Sequence, residues 1–296
     1  MSEPTSYHQE MWRACVACCV AWGVLAMTAS ISRGDEPTST AAGRSLGVEI
    51  VGHRGASADA PENTLAALNL AWEHGADASE FDVWLSSDGF IVLHHDADTK
   101  RTAGVARRVV EQTLEELQQL DVGAWKNERF RGERIPSLDQ ALESIPDGRR
   151  VFIEVKCGPE IVPELTRVID EAALPVEQTA IISFSEAVCQ ACKEALPELK
   201  VYWVVGLKQD PSTGEWNRTP EELIARAKEL HLDGLDLQAC EFVNASLIRH
   251  ATREGLEVYV WTVNNEALAR QMVEAGVAGI TTDRPRWLRE QLQSNE

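Results

Sequence analysis

The chain is poor in positive charge. It has 28 lysine and arginine residues against 47 aspartate and glutamate residues, which gives a formal net charge of −19 at pH 7. A surface this acidic disfavours nucleic acid and anionic membranes as partners, because both carry negative charge themselves. A small or zwitterionic molecule, or a cation, suits it better. Apolar residues make up 44% of the 296 residues, which is ordinary for a globular protein and enough to build a core.

Cysteine is scarce in the part of the chain that is expected to fold. Three of the seven cysteines lie in an N-terminal apolar stretch, and the other four are Cys157, Cys189, Cys192 and Cys240. Cys189 and Cys192 have C-x-x-C spacing, but they follow Phe184 in a helix-like stretch and not in the turn that redox motifs use. No second pair and no histidine cluster at ligand spacing accompanies them, which argues against zinc. We predict that they are packing residues.

The chain lacks an N-terminal apolar run of comfortable membrane-spanning length. The run from Ala14 to Ala29 is too short for that, follows Arg13 and precedes a polar segment, which is typical of a secretory signal. We predict a signal peptide in residues 1–29, a linker in residues 30–47, and an exported protein, secreted or periplasmic. After cleavage no stable membrane insertion is expected; an uncleaved membrane anchor is the alternative. No cysteine directly follows the run, which argues against a lipoprotein.

Residues 48–296 alternate short apolar strands with amphipathic helices, the pattern of a parallel α/β fold. The predicted parallel strands are Glu49–Gly52, Ser79–Val83, Arg150–Val155, Thr179–Ser183, Lys200–Val204, Gly234–Leu237, Val258–Thr262 and Gly279–Thr281. The predicted helices include Thr64–His74, Thr113–Leu120, Ser137–Ser144, Glu160–Ala173, Thr219–Leu230, Ala245–Glu254 and Glu266–Ala275. Eight parallel strands in about 250 residues predict a single-domain (β/α)8 TIM barrel.

A β-hairpin is predicted to leave the barrel after the second strand. The Asp88-Gly89 pair separates two β-type runs, and Asp-Gly is a strong indication of a two-residue type I′ turn. With that loop, Asp82 lies opposite His95 in the antiparallel pair, and Glu80 shares their face. His94 points the other way. The predicted register therefore selects His95, and not His94, as the neighbour of the two carboxylates.

Chemically reactive side chains collect at the ends of the predicted strands. They are His53 and Arg54 after the first strand, Glu80 and Asp82 in the second, Glu154 and Lys156 at the third, and Trp261 in the seventh. Active sites of such barrels lie at the carboxyl ends of the strands, so we expect these residues to converge on one rim. The hairpin would return His95 to that rim, and the irregular segment from Asp98 to Pro136 could wall one side of the pocket. Histidines beside several carboxylates indicate a metal-assisted phosphodiesterase site.

Ten short motifs follow one another between His53 and Pro285. They are His53-Arg54-Gly55, Pro61-Glu62-Asn63-Thr64, Gly75-Ala76-Asp77, Glu80-Phe81-Asp82-Val83, Asp88-Gly89, His95-Asp96, Ile135-Pro136-Ser137-Leu138, Ile153-Glu154-Val155-Lys156, Trp261-Thr262-Val263-Asn264 and Thr282-Asp283-Arg284-Pro285. In their order and spacing the chain resembles the glycerophosphodiester phosphodiesterase family. Ala78-Ser79 stands where the family more often has Gly and an apolar residue, which touches no catalytic position. The short excursion after the hairpin resembles the compact form of the family, without a large inserted domain.

The resemblance implies a metal-dependent hydrolysis of glycerophosphodiesters, small-molecule substrates, to sn-glycerol 3-phosphate and an alcohol. It implies that Glu80, Asp82 and Glu154 hold a divalent cation, Ca²⁺ or Mg²⁺. It also implies that His53 and His95 form an acid/base pair, with either histidine in either role. The nucleophile is water or the glycerol hydroxyl of the substrate itself. The sequence leaves the metal, the alcohol and the oligomeric state open.

Three further residues are assigned to substrate binding. Arg54 and Lys156 would balance the charge of the phosphodiester, and Trp261 would offer an apolar wall to the glycerol or to the alcohol. Two other functions fit the same barrel. One is a lysophospholipase D or phospholipase activity, which needs an apolar track for an acyl chain. The other is a non-catalytic metal- or phosphate-binding module, which would lack a histidine or a metal carboxylate; none is missing from this sequence.

Several nearby polar residues are interpreted as structural. Glu62 and Asn63 are predicted to form a turn and a helix start, with Asn63 or Thr64 as the N-cap. His94 is predicted to be structural because the register turns it away from the carboxylates. Asp96 would only orient a neighbouring residue.

Overall fold

Within residues 47–294, eight parallel strands close into a barrel that helices surround. These residues are the ones that the structure, a computed structural model, describes. The strands are β1 (Glu49–Gly52), β2 (Ala78–Leu85), β3 (Ile91–Leu93), β4 (Arg150–Val155), β5 (Thr179–Ser183), β6 (Lys200–Val205), β7 (Gly234–Gln238), β8 (Glu257–Trp261) and β9 (Gly279–Thr282). The predicted (β/α)8 barrel is confirmed. The predicted signal peptide, and the linker up to residue 46, lie outside the described residues.

The barrel closes because β1 pairs in parallel with both β9 and β2. Going round from β1, the order of the parallel strands is β9, β8, β7, β6, β5, β4 and β2. The antiparallel strand β3 extends the same edge of β2 beyond the end of β1. Along that edge β1 pairs with Ala78 and Ser79, whereas β3 pairs with Val83, Trp84 and Leu85.

Helices connect the strands and cover the outer face of the sheet. They are α1 (Leu65–Glu73), α2 (Lys100–Ala103), α3 (Leu114–Gln118), α4 (Leu138–Glu143), α5 (Val162–Ala172), α6 (Glu186–Ala195), α7 (Pro220–Glu229), α8 (Ala245–Arg253), α9 (Glu266–Ala275) and α10 (Pro285–Gln293). Thr113, Ser137 and Thr219 begin their helices with capping boxes, which satisfy the free N–H groups of the first turn. Across residues 47–294, none of the helices is long and apolar enough to pass through a bilayer.

Strand side chains alternate between the barrel interior and the layer beneath the helices. The lower interior is filled by the rings of Phe152, Tyr202 and Tyr259, whose centroids lie 4.9 to 5.9 Å apart. A larger cluster of buried Val, Ile and Leu side chains fills the outer layer. The interior positions above the aromatic rings are therefore the ones that face an open end of the barrel.

The C-x-x-C pair belongs to the outer apolar layer. Cys189 and Cys192 on α6 are free thiols, fully buried in this layer. Burial raises the pKa of each thiol to about 12, so that both stay protonated near neutral pH. The prediction that they are packing residues is confirmed.

The hairpin forms, but its predicted register is wrong by one residue. Val83 pairs with Leu93 and Leu85 with Ile91, which leaves a three-residue loop that ends at Gly89. A type I′ turn needs a positive φ at both central residues, and only Gly89 has one, at +87°. Asp88 is instead held by its side chain, which accepts hydrogen bonds from Ser86 Oγ at 2.7 Å and from the backbone N–H of Leu114 at 3.0 Å.

The observed register places His94, and not His95, opposite Asp82. The backbone N–H of His94 donates to the Asp82 carbonyl oxygen at 3.0 Å. However, β3 ends at Leu93, so the alternation of strand side chains does not extend to the two histidines. The His94 side chain is buried, with Nε2 3.0 Å from the Asp98 carbonyl oxygen. His95 lines the cleft at the barrel mouth, so the predicted choice of His95 agrees with the structure although the predicted pairing does not.

The segment between β3 and α4 builds a small core of its own beside the barrel mouth. Val109, Leu117, Val122 and Ile135 pack there against Val92 of β3. This packing fixes the excursion to the hairpin, and α2 is thereby held at the rim.

Candidate active site

Three carboxylates meet inside the barrel mouth. Asp82 on β2 and Glu154 on β4 are direct partners across the sheet, and Glu80 lies two residues before Asp82 on the same face. One oxygen from each of the three lies within 4.8 Å of the others, and all three side chains are buried. Glu80 Oε1 and Asp82 Oδ1 accept no hydrogen bond from any residue of the described range. Closely spaced carboxylate oxygens that accept no hydrogen bond suit a hard divalent cation, so this cluster could hold a metal ion.

The pKa values of the three carboxylates reflect their crowding. Burial, together with repulsion by Asp82 and Glu154, raises the pKa of Glu80 well above its usual range. Burial and Asp82 likewise raise the pKa of Glu154. For Asp82, the effect of burial is outweighed by Arg54 and Lys156, and the pKa is lowered. A bound cation would relieve the repulsion among the three groups.

Two cations stand directly against the carboxylates. The backbone N–H of Arg54 donates to Glu80 Oε2 at 2.9 Å, and its Nε lies 3.1 Å from Asp82 Oδ2. Lys156 Nζ donates to Glu154 Oε1 at 2.7 Å and lies 3.3 Å from Asp82 Oδ1. Both side chains are mostly buried and line the cleft. Arg54 and Lys156, the predicted phosphate ligands, therefore already form ion pairs with Asp82, a predicted metal ligand.

The loop after β1 depends on a glycine. Gly55 has φ +81°, and a Cβ atom at this position would lie 2.4 Å from the carbonyl carbon of Ala67 on α1. The preceding residue, Arg54, also has a left-handed backbone, with φ +53°. Close packing of this loop against α1 thus aims the Arg54 N–H at Glu80.

Each predicted catalytic histidine is held by a carboxylate at Nδ1. His53 Nδ1 lies 2.6 Å from Asp283 Oδ1, and His95 Nδ1 lies 2.7 Å from Asp96 Oδ1. Both rings line the cleft. Because Nδ1 of each ring is engaged, Nε2 is the nitrogen left for a substrate. Burial lowers the pKa of His95 from its usual value.

A chain of charges joins the two sides of the cleft mouth. Arg101 on α2 donates to both oxygens of Glu62 at 2.8 Å, and its Nε donates to Asp96 Oδ2 at 2.7 Å. Glu62 also accepts from Arg54 at 2.8 Å. These hydrogen bonds outweigh burial and lower the pKa of Glu62 to about 2. The residue that orients His95 is thereby connected to Arg54.

The interpretation of the Pro61–Thr64 motif is right for one residue and incomplete for two. Thr64 caps α1 by accepting from the Ala67 N–H at 3.2 Å. Asn63 is instead hydrogen-bonded to Asp82, and Glu62 takes part in the charge chain. Arg101 is not among the residues predicted from the sequence, since no periodicity or spacing relates it to Glu62, which lies 39 positions away.

The opposite side of the cleft is largely apolar. Trp261 lies at its edge, with its indole N–H donating to the Asp236 carbonyl oxygen at 3.1 Å. The ring of Phe184, 48% exposed, meets Trp261 edge-on with centroids 5.5 Å apart. Ile182 and Val204 complete this side of a cleft of about 130 Å³. Trp261 therefore lies where an apolar wall is predicted.

Asp236 is a buried acid of the cleft that is not among the predicted site residues. It lies in β7, and burial, with a smaller contribution from Glu154, raises the pKa of its carboxyl well above the usual range. The sequence does hold an indication of it, because strand alternation turns the middle residue of Leu235-Asp236-Leu237 to the face opposite the two leucines.

The cleft thus combines a potential cation site, two fixed positive charges and two histidines that are each held by a carboxylate at Nδ1. Carboxylate-bound cations and arginine or lysine are the groups that stabilise charge on a phosphoryl oxygen. Paired histidines supply the proton transfers of a displacement at phosphorus. The arrangement fits the cleavage of a phosphodiester.

Comparison with known proteins agrees with this chemistry. The model of the glycerophosphoryl diester phosphodiesterase family matches residues 53–286. A glycerophosphodiester phosphodiesterase of Caldanaerobacter subterraneus subsp. tengcongensis is 34% identical over 247 residues, which cover 81% of this chain and 95% of the relative.

Solved structures of similar proteins have the same fold. An Oleispira antarctica phosphodiesterase in complex with the product sn-glycerol-3-phosphate has a TM-score of 0.72 at 29% identity, covering 82% of this chain and 96% of that one. A glycerophosphodiester phosphodiesterase of Agrobacterium tumefaciens has a TM-score of 0.69 at 29% identity, covering 81% and 98%. The family predicted from the sequence motifs is confirmed: the chain belongs to the glycerophosphoryl diester phosphodiesterase family.

Proposed function

We propose that this phosphodiesterase hydrolyses glycerophosphodiesters to sn-glycerol 3-phosphate and an alcohol, with His53 and His95 as its acid/base pair. The proposal is supported above all by the matching settings of the two histidines. Each is oriented at Nδ1 by a carboxylate, at 2.6 and 2.7 Å, and each faces the cleft that holds the carboxylate cluster. Two equivalent proton-transfer groups suit a reaction that needs a base for the nucleophile and an acid for the leaving group.

The proton transfers follow from this placement. One imidazole accepts the proton of the attacking hydroxyl as the new P–O bond forms. The other, protonated, donates its proton to the alcohol oxygen as the old P–O bond breaks. Asp283 and Asp96 keep each ring in one orientation. With water as nucleophile the product forms directly; with the glycerol hydroxyl, a cyclic phosphate forms first and is then opened by water.

Glu80, Asp82 and Glu154 would hold the divalent cation, Ca²⁺ or Mg²⁺. Their oxygen-only donor set supports this assignment, as do two buried oxygens that accept no hydrogen bond from residues 47–294. When bound, the cation supplies Lewis-acid stabilisation of charge on the phosphoryl oxygens. Arg54 and Lys156 bind the same phosphate directly through their side chains.

The alcohol half of the substrate would leave the cleft past Trp261 and Phe184. Trp261 is a partly buried wall, and Phe184 beyond it is exposed. This exposed aromatic edge also gives the lysophospholipase D alternative some support, because an acyl chain would need an apolar surface at the mouth. A lysophospholipid therefore belongs in the test.

The experiment is a release assay with the purified full-length protein. After removal of metal by chelator, glycerophosphocholine is supplied with Ca²⁺, with Mg²⁺ or with neither, and sn-glycerol 3-phosphate is measured. We expect release only with metal, and a loss of at least about 100-fold in His53→Gln and His95→Gln. His94→Gln is the matched control. Lysophosphatidylcholine is tested in the same way with choline release as the readout. Its turnover without turnover of glycerophosphocholine would favour the lysophospholipase D alternative, and metal binding without turnover of either would favour a binding module.

We also propose that the enzyme acts outside the cytoplasm, secreted or periplasmic. Support comes from the apolar run Ala14 to Ala29 with Arg13 before it and a polar segment after it. Expression of the full chain in a bacterial host, followed by fractionation and N-terminal sequencing, tests this. A shortened protein outside the cytoplasm is expected; a full-length protein in the membrane fraction would indicate an uncleaved anchor.

A further inference from the structure

Asp236 is a polar side chain in an apolar part of the barrel wall. Its partners in the neighbouring strands β6 and β8 are Val204 and Tyr259. Paired residues share one face of a sheet, and this face is the barrel interior. Asp236 is 4% exposed and lines the cleft together with Val204 and Ile182. A carboxyl group thus stands at the inner end of the apolar side of the cleft.

The described part of the protein does not supply hydrogen-bond partners for both oxygens of this carboxyl group. Oδ1 of Asp236 is buried and has no hydrogen-bond partner among residues 47–294. The neighbouring Tyr259 is engaged elsewhere, since its hydroxyl contacts Glu49 Oε2 at 2.8 Å and Arg150 Nη1 at 2.9 Å. Buried polar atoms nearly always have a partner, so a partner for Oδ1 is expected from a molecule that enters the cleft.

The residues around Asp236 indicate which type of chemical group would bind its Oδ1 atom. The cations and metal carboxylates that suit a phosphate belong to β1, β2, β4 and the loops after them, whereas the wall from β5 to β7 contributes Ile182, Phe184 and Val204 beside Asp236. A phosphate group has its cations, Arg54 and Lys156, on the other side of the cleft. A hydroxyl group is neutral, donates and accepts, and fits between apolar side chains once its hydrogen bond is made.

We propose that Asp236 is a specificity-determining residue that binds the terminal hydroxyl group of the glycerol half of the substrate. The proposal rests on the proposed function, because it takes the phosphate to lie between Arg54 and Lys156. The glycerol hydroxyl next to the phosphate-bearing carbon then stays near the histidines. The terminal hydroxyl reaches further across the cleft, toward β7.

Two diesters that differ in one hydroxyl group test this assignment. One is glycerophosphocholine; the other has propane-1,2-diol in place of glycerol, which keeps the hydroxyl nearest the phosphate and lacks the terminal one. We expect the full-length wild-type enzyme to prefer the glycerol diester by about 100-fold or more in kcat/KM, because a site built to bind a hydroxyl rejects the analogue without it.

Two variants of Asp236 separate the effect of its hydrogen bond from the effect of its side-chain shape. Asp236→Val should reduce the preference to within about 3-fold, and Asp236→Asn, whose amide still donates and accepts, should keep more than about 10-fold. Glu241→Ala, at an exposed position in the loop after β7, should keep the wild-type preference. Circular dichroism and thermal melting check folding, and Asp236→Ala, which cannot clash with Val204 or Tyr259, replaces the valine variant if that fails to fold.

The possible failures are distinguishable. If the wild type turns over glycerophosphocholine but treats both diesters alike, the role of Asp236 is overturned and the proposed function stands. The same holds if Asp236→Val retains the wild-type preference. If the wild type turns over no glycerophosphodiester, the proposed function itself fails.

Discussion

Asn63 and Asp82 exchange two hydrogen bonds inside the barrel mouth. The Asn63 amide donates to Asp82 Oδ2 at 2.8 Å, and its Oδ1 accepts from the Asp82 backbone N–H at 3.0 Å. Asn63 holds a left-handed backbone, with φ +56°, while it does so. A residue from the loop before α1 thereby fixes both the backbone and the carboxylate of a candidate metal ligand.

Asn63→Ala should therefore weaken metal binding as well as the fold. Loss of two buried hydrogen bonds should lower the free energy of unfolding by about 1–3 kcal/mol. Loss of the group that orients Asp82 should lower metal affinity by about 10- to 100-fold, as for other residues that position metal ligands. Calorimetric titration with Ca²⁺ or Mg²⁺ and urea denaturation measure the two effects. Asn69→Ala, at an exposed position on α1, is the control; a variant that binds metal like wild type would contradict the positioning role.

The adjacent histidines should respond differently to alanine substitution. His95→Ala removes the proposed proton-transfer group from the cleft, and we expect kcat to fall by at least about 100-fold with little change in melting temperature. His94→Ala removes a buried contact to the Asp98 carbonyl, so it should keep most of the turnover and lower the melting temperature instead. Steady-state kinetics and thermal melting of both variants test this difference. Equal losses of kcat would indicate that both histidines take part in the reaction.

Arg101 should matter for turnover although it is partly exposed and belongs to the excursion. It bridges Asp96 and Glu62, so Arg101→Ala leaves the supports of His95 and Arg54 without their common partner. We expect kcat/KM to fall by about 10- to 100-fold, as when other supporting contacts of a site are lost. Arg101→Lys should rescue little, because a single ammonium cannot span both carboxylates.

The control for Arg101 is Arg131→Ala. Arg131 also forms an arginine–carboxylate pair, with Glu128, but at an exposed position outside the charge chain. Its loss should leave the kinetics within error of wild type. If Arg101→Lys were as active as wild type, bidentate bridging would not be required.

Acid should destabilise the enzyme partly through Asp283. Burial raises the pKa of this carboxyl, but hydrogen bonds from His53, Asn264 and Ser57 outweigh it and lower the pKa to about 2. A folded-state pKa below the unfolded value of about 3.9 means that the stabilisation is present above pH 4 and is lost as the pH falls toward 2. Urea midpoints measured across this range should therefore fall less steeply in Asp283→Asn than in wild type. Asp147→Asn, at an exposed position, should follow wild type.

Much of the barrel is predictable because its strands are short, apolar and bounded by turn residues. Arg150–Val155 and Thr179–Ser183 are observed with the bounds that the sequence predicts. The hairpin register is not predictable from Asp88-Gly89 alone, because Asp88 also accepts hydrogen bonds from Ser86 Oγ and from the N–H of Leu114, which lies 26 positions away.

Some residues of the site can be predicted from local sequence, and others depend on contacts between distant parts of the chain. His53, Glu80 and Glu154 lie at strand ends, where the barrel geometry brings any such residues together. Arg101 lies in an irregular segment, and its position depends on the small core around Val109. Tertiary packing determines which carboxylates Arg101 binds, and no periodic pattern in the sequence indicates that packing.

The two proposed catalytic histidines follow strands that have different places in the architecture. His53 follows β1, a strand without which the barrel ring is open. His95 follows β3, which is appended to β2 above that ring. One of the two proposed proton-transfer groups thus follows a strand of the barrel ring, and the other follows a strand outside that ring. Changes in hairpin length or in the excursion would reposition His95 while the closed ring of parallel strands keeps its pairing, which makes this side of the mouth the natural place for substrate range to diverge or to be redesigned.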